Sequence, residues 1–391
     1  MAGVPKLSRR ARWAIPAGAL VITGAVIGGS LITVAQASPG LPSRTPAQLL
    51  AQVADSVTPP LTGTVVETTS LGLPSLPGTA NPTSFASLLT GSHTVRVWYS
   101  GPRHFRLAVP EPLSETDVIA DGNTAWQWES TANAVTEYSL PAEAKAPQTA
   151  PTTAPLTPQQ AAQQVLAAVG PTTTVSVDSN VTVAGQPAYE LVLAPKDSRS
   201  LVGQVQIAID GKNGVPLRLQ VYARGASSPA FQVGYTSIQF VTPAPADLTF
   251  TPPPGAKVSH VNLSAPSGSD RMQGDVSTIG SGWLTVLDLP SAGLTAPSGS
   301  GTAPGGGGSG DSASGDSAAV LNALLQSATP VSGAWGSGRL LRTSLISVLI
   351  TDGGRAFAGA VQPSVLYAAA GQAAAGGAGQ AAAGSSSTQA P

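Results

Sequence analysis

The sequence predicts an α+β protein: one large antiparallel sheet that two helices can cover, followed by a small C-terminal αβ unit. Three observations predict it. Apolar and polar residues alternate with period two through most of residues 61–250, Asp-Gly turn chemistry separates the alternating runs, and helix-start chemistry appears at Thr45 and again at Thr157. Composition agrees. Gly 44 and Pro 35 among 391 residues, with only 10% charged, are poor material for a helical bundle or coiled coil.

The first 37 residues read as an export element. Lys6, Arg9, Arg10 and Arg12 form a basic start, no charge follows until Arg44, and Trp13 to Val34 is largely apolar and long enough to cross a bilayer. Ala35-Gln36-Ala37 also fits a signal-peptidase site, so cleaved signal and retained membrane anchor both stand. Either way the remainder is exported and extracytoplasmic.

Thr45-Pro46-Ala47-Gln48 and Thr157-Pro158-Gln159-Gln160 each put Thr at N-cap, Pro at N1 and Gln at N3. Leu49, Val53 and Val57 then make one apolar stripe, and Ala161, Val165 and Val169 another. Between and after these helices the pattern is that of strands. Val95, Val97 and Tyr99 face one way and Arg96 and Trp98 the other; Phe105, Leu107 and Val109 repeat this after Gly101-Pro102. Asp121-Gly122 separates 116–120 from 124–129, and Asp210 to Gly214 separates 204–209 from 215–224. With further strands at 135–140, 175–183, 188–194 and 231–240, the sheet has roughly nine to eleven strands joined as hairpins.

Pro252, Pro253 and Pro254 cannot donate to a ladder, and the main domain, 41–258, is expected to end just beyond them. Residues 259–316 are mostly a Gly/Ser-rich linker with a strand near 283–289. The unit at 317–370 has a short helix from Ala319, a hairpin of 340–351 and 355–361 around Asp352-Gly353-Gly354, and a last helix over 363–370; an Ala/Gly/Ser tail with nothing to fold around, 371–391, is expected to be disordered.

Little here can carry catalysis. Net charge is -1, too little positive field for nucleic acid, and the absence of Cys excludes thiol chemistry, disulfides and a lipid-modified cysteine. His93, His104 and His260 lack metal-ligand spacing, and Gly310-Asp311-Ser312 and Gly315-Asp316-Ser317 lie in the linker, without the rigid shell a nucleophile needs. No cofactor, metal or enzyme activity is expected.

Apolar surface stands out instead. No formal charge occurs between Glu67 and Arg96, and this stretch holds Leu71, Leu73, Leu76, Phe85, Leu88 and Leu89. Such a segment either packs on its own domain or forms a movable lid over an apolar cavity. Trp126 and Trp128 share one strand face, and Trp98 and Tyr138 come from neighbouring strands; these four either pack in the core or line a ligand pocket.

The order of elements, and above all the ending Asp247-Leu248-Thr249-Phe250-Thr251-Pro252-Pro253-Pro254-Gly255-Ala256-Lys257-Val258, resembles the LolA-like lipoprotein-carrier superfamily. That superfamily includes the N-terminal domain of the sigma-E regulator RseB and mycobacterial lipid carriers of the LppX kind. The resemblance spans about residues 41 to 258 and departs from the pattern by an extra proline. It implies a half-open β-barrel whose apolar face, closed by helices, holds a lipid or a lipoprotein acyl chain without catalysis. The rival class is an RseB-like envelope sensor or scaffold that binds another envelope protein.

Overall fold

The computed structural model of the chain describes residues 40–73, 90–140, 170–262, 277–290 and 323–384. The export segment, the second capping box at Thr157, and Leu76, Phe85, Leu88 and Leu89 lie outside the described residues.

Helix α1 (Pro46–Asp55) starts on the capping box read from the sequence: the Gln48 N–H donates to Thr45 Oγ1 at 3.3 Å, and the Thr45 N–H donates to Gln48 Oε1 at 2.8 Å. The exchange satisfies two donors that a helix start leaves free.

Twelve strands form the large sheet: β1 (Leu61–Ser70), β2 (Thr90–Gly101), β3 (His104–Pro110), β4 (Glu115–Asp121), β5 (Thr124–Glu129), β6 (Ala134–Ser139), β7 (Thr173–Val183), β8 (Gln186–Pro195), β9 (Val202–Asp210), β10 (Pro216–Ala223), β11 (Pro229–Gln239) and β12 (Lys257–Asn262). Their order is β12-β6-β5-β4-β3-β2-β1-β11-β10-β9-β8-β7. Two runs of sequential hairpins, β2 to β6 and β7 to β11, are joined through β1, which pairs with β2 on one side and β11 on the other. The sheet stays open, and it is curled: β7 touches β11 although β10, β9 and β8 lie between them in the order. The architecture is the half-barrel that the resemblance implies, with modest helical cover.

One pairing departs from the antiparallel expectation. Past a four-residue helix, α2 (Pro245–Leu248), and the proline run, β12 lies parallel on β6. The prolines carry the chain back without joining a ladder, so the new strand enters in the same direction as β6 and starts with the Lys257 N–H donating to Asn133 O at 2.9 Å.

The second sheet has β13 (Ser277–Ile279), β14 (Val286–Pro290), β15 (Thr329–Gly333), β16 (Gly336–Arg342), β17 (Ser347–Thr351) and β18 (Arg355–Gly359), ordered β13-β14-β18-β17-β16-β15. The strand expected near 283–289 begins later, because Gly282–Leu284 form a 3₁₀ turn. Residues 340–351, read as one strand, are two: Thr343 Oγ1 accepts the N–H of Leu345 at 3.3 Å and of Ile346 at 2.9 Å, and this hydroxyl-anchored turn reverses the chain. Helix α3 (Pro363–Gly384) runs on past Ala370, since the continuing alanines keep high helix propensity. Its first turns close the core of Val286, Leu340, Leu349, Phe357 and Leu366.

The two sheets are tied by backbone hydrogen bonds. The Leu201 N–H donates to Ala360 O at 2.9 Å, the Gln362 N–H to Arg199 O at 2.7 Å and the Ser344 N–H to Leu71 O at 2.9 Å. Trp283 adds an indole N–H to Thr173 Oγ1 at 2.7 Å.

Candidate ligand-binding face

Register sorts the large sheet into two chemically different faces. Val65 pairs with Val95, Val97 with Leu107 and Leu107 with Val118. On the other side of β1 the same face continues through Val233, Leu219, Ile207 and Leu191. This is an aliphatic stripe across most of the sheet. The alternate positions are Trp98, Arg106, Ile119 and Trp126, also in mutual register, so the opposite face is aromatic and polar.

Two bodies cover parts of the aliphatic face. Leu49 of α1, fully buried, packs with Tyr189, Leu191 and Ile209 over β8 and β9. Leu345 and Trp283 of the smaller unit, together with Leu71, pack on Val202, Val205, Val221 and Phe231 at the far ends of β9 to β11. The stripe continues beyond both onto β1–β4, where Val65 and Val95 are buried and Val118 is 36% exposed.

Within this stripe sit polar groups to which the sequence reading gave no role. Glu67 pairs with His93 across β1 and β2, and Thr69 lies two residues on, on the same face. The Thr69 hydroxyl donates to Glu67 Oε1, while Glu67 Oε2 lies 3.8 Å from His93 Nε2. Burial raises the Glu67 carboxyl above its usual range, against the Thr69 hydrogen bond and His93, which both lower it. The signal was present: Glu67 falls in phase with Val65, at a position the alternation assigns inward.

The sequence-predicted aromatics do not gather on that stripe. Trp98, Trp126 and Trp128 belong to the opposite face, whereas Tyr138 pairs with Ala125 on the aliphatic side and donates its hydroxyl to Gln127 Oε1 at 3.3 Å. Phe250, just past α2, lies 6.0 Å from the Trp126 ring and 6.5 Å from Trp128, so these rings are covered by the chain itself. Trp98 lies under the Arg106 guanidinium at 5.4 Å, and Arg106 also ion-pairs with Asp117. Leu71 belongs to the junction with the smaller unit, and Leu73 is half-buried. An open depression of about 260 Å³ beside Thr64, Arg96 and Trp98 is below the size of typical small-molecule pockets, about 300–1,000 Å³. Among the described residues no three His, Asp or Glu side chains are placed to hold a metal ion, and no helix is long and apolar enough to cross a membrane.

Asp117 is 1% exposed, and its carboxyl is pushed up to about 6, first by burial, with the Arg106 charge opposing. The folded protein therefore keeps this proton to about pH 6, whereas the unfolded chain releases it near 3.8, so stability falls as pH rises between those values. Asp197, held down to about 2 by Arg199, acts only below that window, with the opposite sign. Melting curves from pH 4 to 7 should show a decline that Asp117→Asn flattens, leaving the part due to Glu67; an undiminished decline in the variant would refute this assignment.

No protein-family model matches the chain, and no curated protein matches its sequence. Solved structures do match. MucB in its complex with MucA from Pseudomonas aeruginosa is 15% identical, with 83% of this chain and 95% of that chain covered and a TM-score of 0.38. A conserved uncharacterised protein from Thermus thermophilus is 13% identical over 55% of this chain and 98% of that chain, with a TM-score of 0.31. A LolA superfamily protein from Nitrosomonas europaea is 11% identical over 53% of this chain and 99% of that chain, with a TM-score of 0.20. At these scores the likeness carries no functional weight, which rests on the residues above.

Proposed function

We propose that this chain is a non-catalytic, extracytoplasmic binding protein that holds a lipid or a lipoprotein acyl chain against the aliphatic face of its half-barrel. One observation carries the reading: the aliphatic stripe extends beyond α1 and the smaller unit onto β1–β4, where it reaches an exposed Val118. Burying hydrocarbon is favourable by about 0.8 kcal/mol per CH₂ and requires dry surface alone, with no bond-making group. The basic start and apolar run of residues 1–37 support export and, if retained, attachment to the membrane in which such a ligand resides.

Protein purified from its native envelope, extracted and analysed by mass spectrometry, should release an acyl lipid in near-stoichiometric amount; protein that is lipid-free by this measure sinks the proposal. A second reading, a scaffold for another envelope protein, is supported by β12, which is the outer strand of the sheet among the described residues and is exposed along its whole length. Cross-linking in intact cells separates the two, because a scaffold yields a protein adduct and no lipid.

A further inference from the structure

The open depression of about 260 Å³ lies on the face opposite the aliphatic stripe, and its cause is local. Thr64 pairs with Ser237 but Val65 with Tyr235, so Thr236 is an extra residue that breaks the ladder between β1 and β11. The two pairing rows beside this bulge place Thr62, Thr64, Arg96, Trp98, Ser237 and Gln239 on one face, and all six line the depression. Trp98 is its wall on the β2 side. The Arg106 guanidinium stacks on that indole from β3, the neighbour of β2 on the side away from β1, and does not itself line the depression. Among the described residues, the side chains of Thr62, Thr64, Arg96, Ser237 and Gln239 make no hydrogen bond or ion pair with other protein groups. Scattered surface polar groups are ordinarily left to water. Here five converge on one hollow with an aromatic wall, and Arg96 and Gln239 are exposed.

We propose that this depression binds one acidic sugar residue of a glycan, with its carboxylate on Arg96, its hydroxyls on Thr62, Thr64, Ser237 and Gln239, and the C–H face of its ring against Trp98. The lining selects that class. An arginine fork meets a carboxylate with two parallel donors. Hydroxyl and amide side chains both donate and accept, as sugar hydroxyls do, so each can serve a ligand hydroxyl in either sense. An indole offers flat apolar surface to the C–H groups of a pyranose. The volume agrees: about 260 Å³ is the liquid share of roughly nine waters at about 30 Å³ each, room for one sugar ring. A bare inorganic anion would leave the indole idle, and a hydrocarbon would leave the charge and hydroxyls without partners. The inference goes beyond the lipid reading and is independent of it, since the depression and the aliphatic stripe lie on opposite faces of the sheet.

The test titrates the full chain calorimetrically with three probes: methyl β-glucuronide, methyl β-glucoside, which lacks the carboxylate, and glutarate, which lacks the ring. Wild-type protein is expected to bind the glucuronide at least about tenfold tighter than the glucoside, the step expected of one charge-assisted hydrogen-bonded pair. It should also bind the glucuronide several-fold tighter than glutarate, through the ring stacking and the hydroxyl contacts. Arg96→Gln is expected to bring glucuronide and glucoside within about twofold of each other, with Tm unchanged because the side chain is exposed and unpaired among the described residues. Gln239→Ala, also at an exposed position, should weaken both sugars and keep their ratio. Equal binding of the two sugars by the wild type, or a preference that survives Arg96→Gln, overturns the proposal. Glutarate bound as tightly as the glucuronide would reveal a plain anion site and overturn the sugar assignment. No binding of any probe at millimolar concentration overturns the subsite, and none of these outcomes bears on the acyl-lipid assay, which can fail or succeed separately.

Discussion

Phe357→Ala is expected to lower stability by about 3–5 kcal/mol, the range for emptying a fully enclosed aromatic site. Phe357 is 1% exposed on β18 and touches the core formed by Val286, Leu340, Leu349 and Leu366. A sheet this small has few other apolar residues to close over the cavity, so little of the loss is recovered by relaxation. The damage should spread along defined bonds. Leu201 and Gln362 donate to or from the strand end at 360–362, and Ser344 donates to Leu71, so these amides should lose hydrogen-exchange protection together with β16–β18. Denaturant titration combined with hydrogen exchange checks both parts. A loss below about 1 kcal/mol, or unchanged protection at Leu201 and Ser344, would refute the account of how the two sheets are joined.

Leu49→Ala is the second large effect, about 3 kcal/mol, within the usual range for a buried leucine. Leu49 has no exposed surface and is the fully buried residue of α1 in the cluster with Tyr189, Leu191 and Ile209, where Leu50 and Val53 pack at the side. Ten residues make a helix too short to persist alone, so its capping box holds the start and Leu49 supplies the docking. The variant should therefore do more than lose stability. With α1 loosened, the aliphatic face over β8 and β9 opens to water, and binding of an environment-sensitive apolar dye at native pH should rise several-fold. A stability loss without a rise in dye fluorescence would mean that α1 stays docked and that Leu49 is ordinary core.

Much of this fold was legible because its causes are local. The Thr45 capping box is settled within four residues, and both nitrogen–oxygen contacts it predicts are present. Asp210 illustrates the same point for turns: its carboxylate accepts the N–H groups of Lys212 and Asn213 at 2.9 and 2.5 Å, which reverses the chain between β9 and β10. The site was less legible. Alternation separated Val95 and Val97 from Arg96 and Trp98, but it carries no information on which face stays open. Phe250 covers Trp126 and Trp128 from more than a hundred residues away in sequence, a contact no window around either Trp reveals. Glu67 was hidden for a different reason, since a single charge in an apolar stretch reads as its boundary until the register places it opposite His93.

The amino-acid sequence alone determined where strands and the first helix begin, where hairpins reverse, and that thiol chemistry is excluded, because alternation, caps, turns and composition act through neighbouring residues. Only the tertiary structure decided that β1 joins two runs of hairpins by pairing with β11, that β12 returns parallel to β6, and that β14 enters the second sheet beside β18. Those pairings are chosen by which distant surfaces can be buried together, and the free energy of that choice resides in no single segment.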